Sequence, residues 1–306
     1  MKRRARIWCA GLALLLAALL SGVCAMAEGA DTVYMENAWN FVDGSMDISQ
    51  GIPEDAEGVL GRIRETGLLR VATEPYFPPQ EFIDPSREGQ DRFVGSDMEM
   101  ARRIAERMGV ELEIVPMEFT EVLGAVSDGV CDLAISALSY TPARAAQVTF
   151  SKGYFFAGED GGAVLMIRAA DAGVIRSFDD LADKTVVAQS GSLQEALAAE
   201  HITAYKEFRR MRTINLIYLA VADKRADAAL VDFETAEDFI NSNPDLGLML
   251  LPNMRFHLEE QYEGDRVAAR KGEYQLMYFV NGVIDELLES GEYMKWYDES
   301  DAKSWS

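Results

Sequence analysis

Between Val59 and Arg144 the chain alternates short apolar runs with stretches of helical period. Val59 to Glu65 reads as a short helix stopped by Gly67, followed by the strand Leu68 to Thr73. Ser96 with Glu99 predicts a capping box, and Met98, Ala101, Ile104 and Met108 form the apolar stripe of a helix that Gly109 ends. A strand through Leu112 and Ile114 comes next, then a helix from Thr120 to Asp128, then the apolar strand Leu133 to Leu138. Ser139 to Arg144 is a polar turn with Pro142 at a first helical position.

A second series follows the glycine-rich break Gly158-Glu159-Asp160-Gly161-Gly162. It runs through strand Ala163 to Ile167, a helical turn at Phe178 to Ala182, strand Thr185 to Gln189 and helix Ser192 to Glu200. Helix Ile214 to Ala222, strand Ala228 to Val231 and a helix that Asp232 would cap continue it. The pattern breaks again near Glu263-Gly264-Asp265, after which Arg266 to Arg270 and the long helix Tyr274 to Ser290, stopped by Gly291, complete it. Strand and helix alternating over short connections predict an α/β fold of mostly parallel sheets flanked by helices. Two glycine-bearing breaks around the second series suit two hinge crossings between lobes, Tyr154 to Gly162 and Phe256 to Gly264; surface loops would look the same. The divisions expected are 1–27, 28–65, 66–158, 159–263 and 264–306.

The first of these carries Lys2, Arg3, Arg4 and Arg6, the apolar run Leu12 to Leu20 and then Ala25-Met26-Ala27, the pattern of a cleavable secretory signal peptide. The run is short for a membrane anchor, and Ser21-Gly22-Val23 ahead of Cys24 lacks the leucine-then-small pattern of a lipid-attachment site. Residues 28–65 are acidic and turn-rich, yet Tyr34, Trp39 and Phe41 give them something to bury, so a linker and a docked extension both fit. Hydrophobic residues at 49% and charged residues at 26% of 306 are those of a globular protein. Loss of residues 1–27 removes four positive charges and shifts the formal net charge from −22 to −26, which disfavours nucleic acid as a partner. Cys9 and Cys24 fall in the leader, leaving Cys131 alone, so no intramolecular disulfide forms; with only His201 and His257 present, a zinc site or other metal cofactor is unsupported.

The candidate chemistry gathers where the strand Leu133 to Leu138 ends. Ser136, Ser139 and Arg144 surround that end, and in an open parallel sheet such ends face the ligand crevice. An arginine fork there matches a carboxylate through two charge-assisted hydrogen bonds. The alternative is a surface arginine beside ordinary polar residues.

Five blocks in order decide between these. Leu69 to Pro79, with Glu74-Pro75-Tyr76-Phe77-Pro78-Pro79, resembles the opening of family 3 solute-binding proteins, the amino-acid receptors of ABC transporters. Phe93 to Ala101 resembles their second motif, and Asp132 to Arg144 with Val148-Thr149-Phe150-Ser151 their third. Gln189 to Glu195 and Arg225 to Asp232 are similar to the two motifs of the second lobe. The likeness spans Gly67 to Tyr297 and implies the two-lobed type II periplasmic-binding architecture, closing on an amino acid for delivery to an ABC transporter permease by a monomer outside the cytoplasm.

The resemblance also implies site roles. Arg144 matches the arginine that grips the α-carboxylate, Ser136, Ser139 and Ser192 match hydrogen-bonding positions, and Asp232 matches the acceptor for the α-ammonium. Tyr76 and Phe119 match the aromatics that sandwich the side chain. Ala137 stands where serine is common, Leu193 where threonine is common, and Glu74 where aspartate often sits. Glu74 would then favour a ligand side chain that offers hydrogen-bond donors. Each has a structural alternative: Asp232 and Ser192 as helix caps, Phe119 as core, Tyr76 packed beneath a turn. Two other functions share the family's fold, a cyclohexadienyl dehydratase, for which Glu74 would serve as general acid if desolvated, and a ligand-sensing domain, but no Ser-His-Asp set is visible and no signalling domain follows.

Overall fold

The computed structural model describes residues 41–157, 162–256 and 263–304. The leader, Tyr34, Trp39, His257 and the centres of both hinge segments lie outside the described residues. Helix α1 (Gly58–Thr66) ends at Gly67, whose φ of 67° places it in the left-handed region that glycine adopts without strain. It feeds β1 (Leu68–Thr73), after which β2 (Tyr76–Phe77), β3 (Glu81–Ile83) and β4 (Phe93–Val94) form a small antiparallel sheet. Then come α2 (Ser96–Met108), β5 (Glu111–Pro116), α3 (Phe119–Ser127), β6 (Leu133–Ala134), α4 (Pro142–Ala145) and β7 (Val148–Phe155). The second series comprises β8 (Ala163–Arg168), β9 (Thr185–Gln189), α5 (Leu193–His201), β10 (Glu207–Met211), α6 (Ile214–Ala222), β11 (Ala228–Asp232), α7 (Phe233–Ser242) and β12 (Leu248–Phe256). The chain ends with β13 (Asp265–Arg270), α8 (Tyr274–Ser290) and α9 (Glu292–Ser304).

Two five-stranded sheets carry the lobes, one in the order β5-β1-β6-β13-β7 and the other β10-β9-β11-β8-β12. In each, one strand runs against the rest: β13 is antiparallel to both neighbours in the first, β8 in the second. These are the strands that follow the two passages between sheets. The sheets are therefore mixed, with four of five strands sharing a direction rather than a uniformly parallel set. Apolar side chains of α1, α2 and α8, including Leu60, Ile104 and Phe279, pack on one face of the first sheet, while α3 covers the other with Val122 and Val126. The second sheet has its own two clusters, one under α6 and α7, the other under α5.

Three local expectations change. The Ser96–Glu99 capping box does not form: Gly95 is the N-cap, with φ 115° and a position where a Cβ would lie 2.1 Å from the Gln80 carbonyl oxygen. Ser96 is instead the first helical residue, and its hydroxyl donates to the Tyr293 hydroxyl at 3.1 Å. The strand expected over Leu133 to Leu138 is regular only at Leu133–Ala134, because the backbone turns at Ala137, a non-glycine residue with φ 44°. Edge strands β7, β10 and β12 and the helix α9 were not apparent in the pattern. Glu-Phe-Arg-Arg-Met is polar on both faces, as an edge permits, and Pro252 sits in β12 where its register shifts between Leu251 and Arg255.

The described part of the acidic extension straps the first sheet's outer edge. Val42 N–H donates to the Phe150 carbonyl at 2.8 Å on edge strand β7. Asn281 of α8, fully buried, donates from Nδ2 to the carbonyls of Val42 at 2.8 Å and Gly44 at 2.7 Å, and accepts from Lys152 N–H at 3.1 Å. Asn281→Leu should thus cost about 1–3 kcal/mol, the penalty for stranding buried polar groups. A urea midpoint matching wild type would refute this anchoring.

Candidate functional site

The C-terminal ends of β1 and β6 in one sheet and of β9 and β11 in the other open onto a shared cavity, the place where an α/β crevice collects ligands. Past β1 lies Glu74; past β6 lie Ser136, Ala137 and Ser139. Gln189 closes β9, Ser192 and Leu193 begin α5, and Asp232 ends β11. All of them line the cavity, as do Phe119 at the start of α3 and Arg144 on α4. Tyr76 does not: it is 42% exposed, and its neighbour Phe77 lines the cavity instead. Successive side chains of a strand point to opposite faces, so in two-residue β2 a shift of one position decides which aromatic faces inward. Phe77 also packs against the apolar cluster of the second lobe, so it contacts both sides of the crevice.

Arg144 owes its placement to α4. Thr141 caps that helix, its hydroxyl accepting the Arg144 N–H at 3.2 Å, with Pro142 in the first turn. The guanidinium donates from Nη1 to the Ser139 carbonyl at 2.8 Å and, across the crevice, from Nη2 to the Gly191 carbonyl at 3.0 Å. It lies 5.5 Å from the Phe119 ring centroid, within cation–π range. Burial lowers its pKa to about 10, against the attraction of Asp265, so near neutrality it remains a cation.

The hydroxyls are more committed than the sequence suggests. Ser136 accepts the Glu74 N–H at 3.1 Å and donates to Glu81 Oε1 at 3.0 Å. Ser192 caps α5, accepting Glu195 N–H at 3.0 Å and donating to the Gln189 carbonyl at 2.8 Å. Asp232 caps α7 through Oδ1, which accepts Thr235 N–H at 3.1 Å. The capping alternatives are thus realised at both positions, and both residues still line the cavity.

Sequence reasoning overlooked an acidic wall. Glu81, 1% exposed, and Asp265, at the start of β13, line the cavity with Glu74. Burial raises Glu74 to about 7, opposed by hydrogen bonds from the Gln189 amide and Tyr76 N–H. Burial also drives Glu81 well above the usual carboxylate range, reinforced by the charges of Asp97, Glu74 and Asp265. Asp265 rises to about 7 by desolvation, with the Gln80 amide donating to its Oδ2 at 2.8 Å in opposition. Glu81 was hidden behind the Pro78–Pro79 turn, and Asp265 sat in a break that read as hinge punctuation. The wall is buttressed by Asp97, whose carboxylate takes the Ala137 N–H at 3.1 Å, the Tyr154 hydroxyl at 2.7 Å and the Tyr293 hydroxyl at 2.8 Å. That network holds the left-handed turn at Ala137 in the cavity wall. Among the described residues no group of His, Cys, Asp and Glu side chains is arranged to hold a metal ion.

A crevice between two mixed sheets, reached at their strand ends and lined by one arginine, aromatics and carboxylates, has close counterparts in known proteins. The family model for bacterial extracellular solute-binding proteins, family 3, matches residues 69–299. The arginine-binding extracellular protein ArtP of Bacillus subtilis is 32% identical over 229 residues, 74% of this chain and 83% of that protein. The crystal structure of an amino acid ABC transporter substrate-binding protein, AbpA from Streptococcus pneumoniae, bound to L-arginine, superposes with a TM-score of 0.71 at 32% identity, covering 80% of this chain and 99% of that one. A cyclohexadienyl dehydratase of Pseudomonas aeruginosa is 34% identical, but over 103 residues, 34% of this chain and 37% of that enzyme. With the architecture, the strand-end crevice and a family match across most of the chain in agreement, the protein belongs to the family 3 bacterial extracellular solute-binding proteins.

Proposed function

We propose that this protein captures an α-amino acid with a cationic side chain outside the cytoplasm, after export by its N-terminal leader, and presents it as a monomer to an ABC transporter permease. The observation that carries the reading is Glu74: the residue is 2% exposed and lines the cavity, and its buried Oε1 has no hydrogen-bond partner in the protein. A buried acceptor left unpaired is costly, and a ligand ammonium or guanidinium would satisfy it. Arg144 supplies the matching fork for the α-carboxylate, and Asp232 presents a carboxylate from the second lobe to the α-ammonium. Phe77 and Phe119 give an aliphatic stem two aromatic surfaces. The names of ArtP and AbpA's ligand point the same way.

A dehydratase is the weaker reading. The match to that enzyme covers a third of the chain, and Arg144 is the one cation among the described lining residues, against Glu74, Glu81, Asp232, Glu234, Glu263 and Asp265. Such a wall suits a cation and repels an anion. Isothermal calorimetry with L-arginine, L-lysine, L-glutamine and L-leucine tests the proposal. A basic amino acid should bind tightest, and at 100 times its dissociation constant should stabilise the fold by about 2.7 kcal/mol. Tightest binding of leucine would overturn it.

A further inference from the structure

The resemblance assigns the α-ammonium to Asp232 alone. Resting on the amino-acid-capture reading, we propose that Asp265 is a second acceptor for that ammonium, so that carboxylates from both lobes bracket it and a ligand lacking the ammonium is rejected. Asp265 opens β13, the strand by which the chain returns to the first sheet, whereas Asp232 ends β11 in the second. Both line the cavity, and the charge of Asp232 is among the causes that raise Asp265.

The two ends of the cavity can be told apart by their neighbours. Arg144 Nη1 donates to the Ser139 carbonyl at 2.8 Å and Ser139 bridges to Asp265, whereas Glu74 N–H donates to the Ser136 hydroxyl, three residues earlier, at 3.1 Å. Asp265 therefore belongs to the Arg144 end, where the α-carboxylate docks, and not to the end that receives the side chain. An α-ammonium sits on the carbon bearing the carboxylate, so an acceptor paired with the residue that holds the Arg144 fork is within its reach.

The position of Asp265 is also fixed. Arg266 N–H donates to the Leu138 carbonyl at 3.0 Å, Asp265 bridges to Ser139 in antiparallel fashion, and Gln80 Nε2 holds Asp265 Oδ2 at 2.8 Å. Gln80 occupies one carboxylate oxygen, and the other is not among the buried atoms lacking a partner, which fits an oxygen open to the cavity. Two like charges placed on opposing lobes repel until a cation lies between them. The ammonium would thereby link the lobes directly, since only their approach lets both carboxylates reach it.

Asp265→Asn tests this, because the asparagine carbonyl still accepts from Gln80 and the fold is preserved; a melting temperature of the free protein no lower than that of wild type checks that. Calorimetry would compare L-arginine with δ-guanidinovalerate, which keeps the guanidinium, stem and carboxylate but lacks the α-ammonium. Asp265→Asn should weaken L-arginine more than about tenfold while leaving δ-guanidinovalerate bound no more weakly than by wild type. Equal losses for both ligands, or no loss for L-arginine, would overturn the bracket while leaving amino-acid capture intact. Failure of L-arginine and every other amino acid to bind wild type would overturn both.

Discussion

Replacing Arg144 by alanine should weaken binding of the amino acid by about 2–5 kcal/mol, the usual cost of removing one partner from a desolvated charged pair. A guanidinium has five N–H donors in one plane. Two are spent on the Ser139 and Gly191 carbonyls at 2.8 and 3.0 Å, which lock the fork and leave three for a carboxylate. Arg144→Lys should recover only part of the loss, because an ammonium restores the charge but cannot make two parallel bonds while keeping both carbonyl contacts. The fold should survive either change, since Arg144 lies on the short helix α4 and packs in no apolar cluster. Calorimetry reads the affinities and a thermal melt the fold. An alanine variant that binds as tightly as wild type would remove Arg144 from the site.

How far the sequence could be read followed from what each signal measures. Periodicity located α2, α6 and α8 and the strands β1, β9 and β11 because each buries a continuous apolar face. It missed β10 and β12 because an edge strand need bury only one side, and Pro252 with the register shift conceals what remains. The serine and arginine positions after β6 stood out only through the five ordered blocks, since polarity at a strand end has structural uses too: Ser136 is hydrogen-bonded to Glu74 N–H and to Glu81. Phe77 was mistaken for its neighbour because a two-residue strand carries no periodicity to fix its facing. Asp265 and Glu81 went unseen for another reason: nothing local distinguishes a carboxylate that the tertiary fold will bury from one in a loop. Their role emerges only when α2, β3 and β13 bring Asp97, Glu81 and Asp265 together.

Glu74 should make both ligand affinity and the stability of the free protein depend on pH, in opposite senses. Its pKa in the free protein is raised from 4.5 to about 7, chiefly by burial. A carboxyl whose folded pKa exceeds its unfolded one contributes stability that is fully present below the unfolded pKa and is lost as pH rises through the folded one. The loss therefore falls between 4.5 and about 7 and amounts to roughly 3 kcal/mol at most. A cationic ligand needs the ionised form, so binding expels the proton and affinity climbs with pH, by about tenfold from pH 6 to pH 8 for this one group, before levelling. Glu74→Gln isolates the effect, because it leaves Asp265 and its own titration in place. The free variant should match wild type near pH 5 and exceed it at pH 8 in urea midpoint, yet bind a basic amino acid more weakly at pH 8 and show a flatter affinity profile. Parallel stability profiles for the two proteins would show that Glu74 is solvated in the free state. An unchanged ranking of arginine over leucine in the variant would show that it does not choose the ligand's side chain.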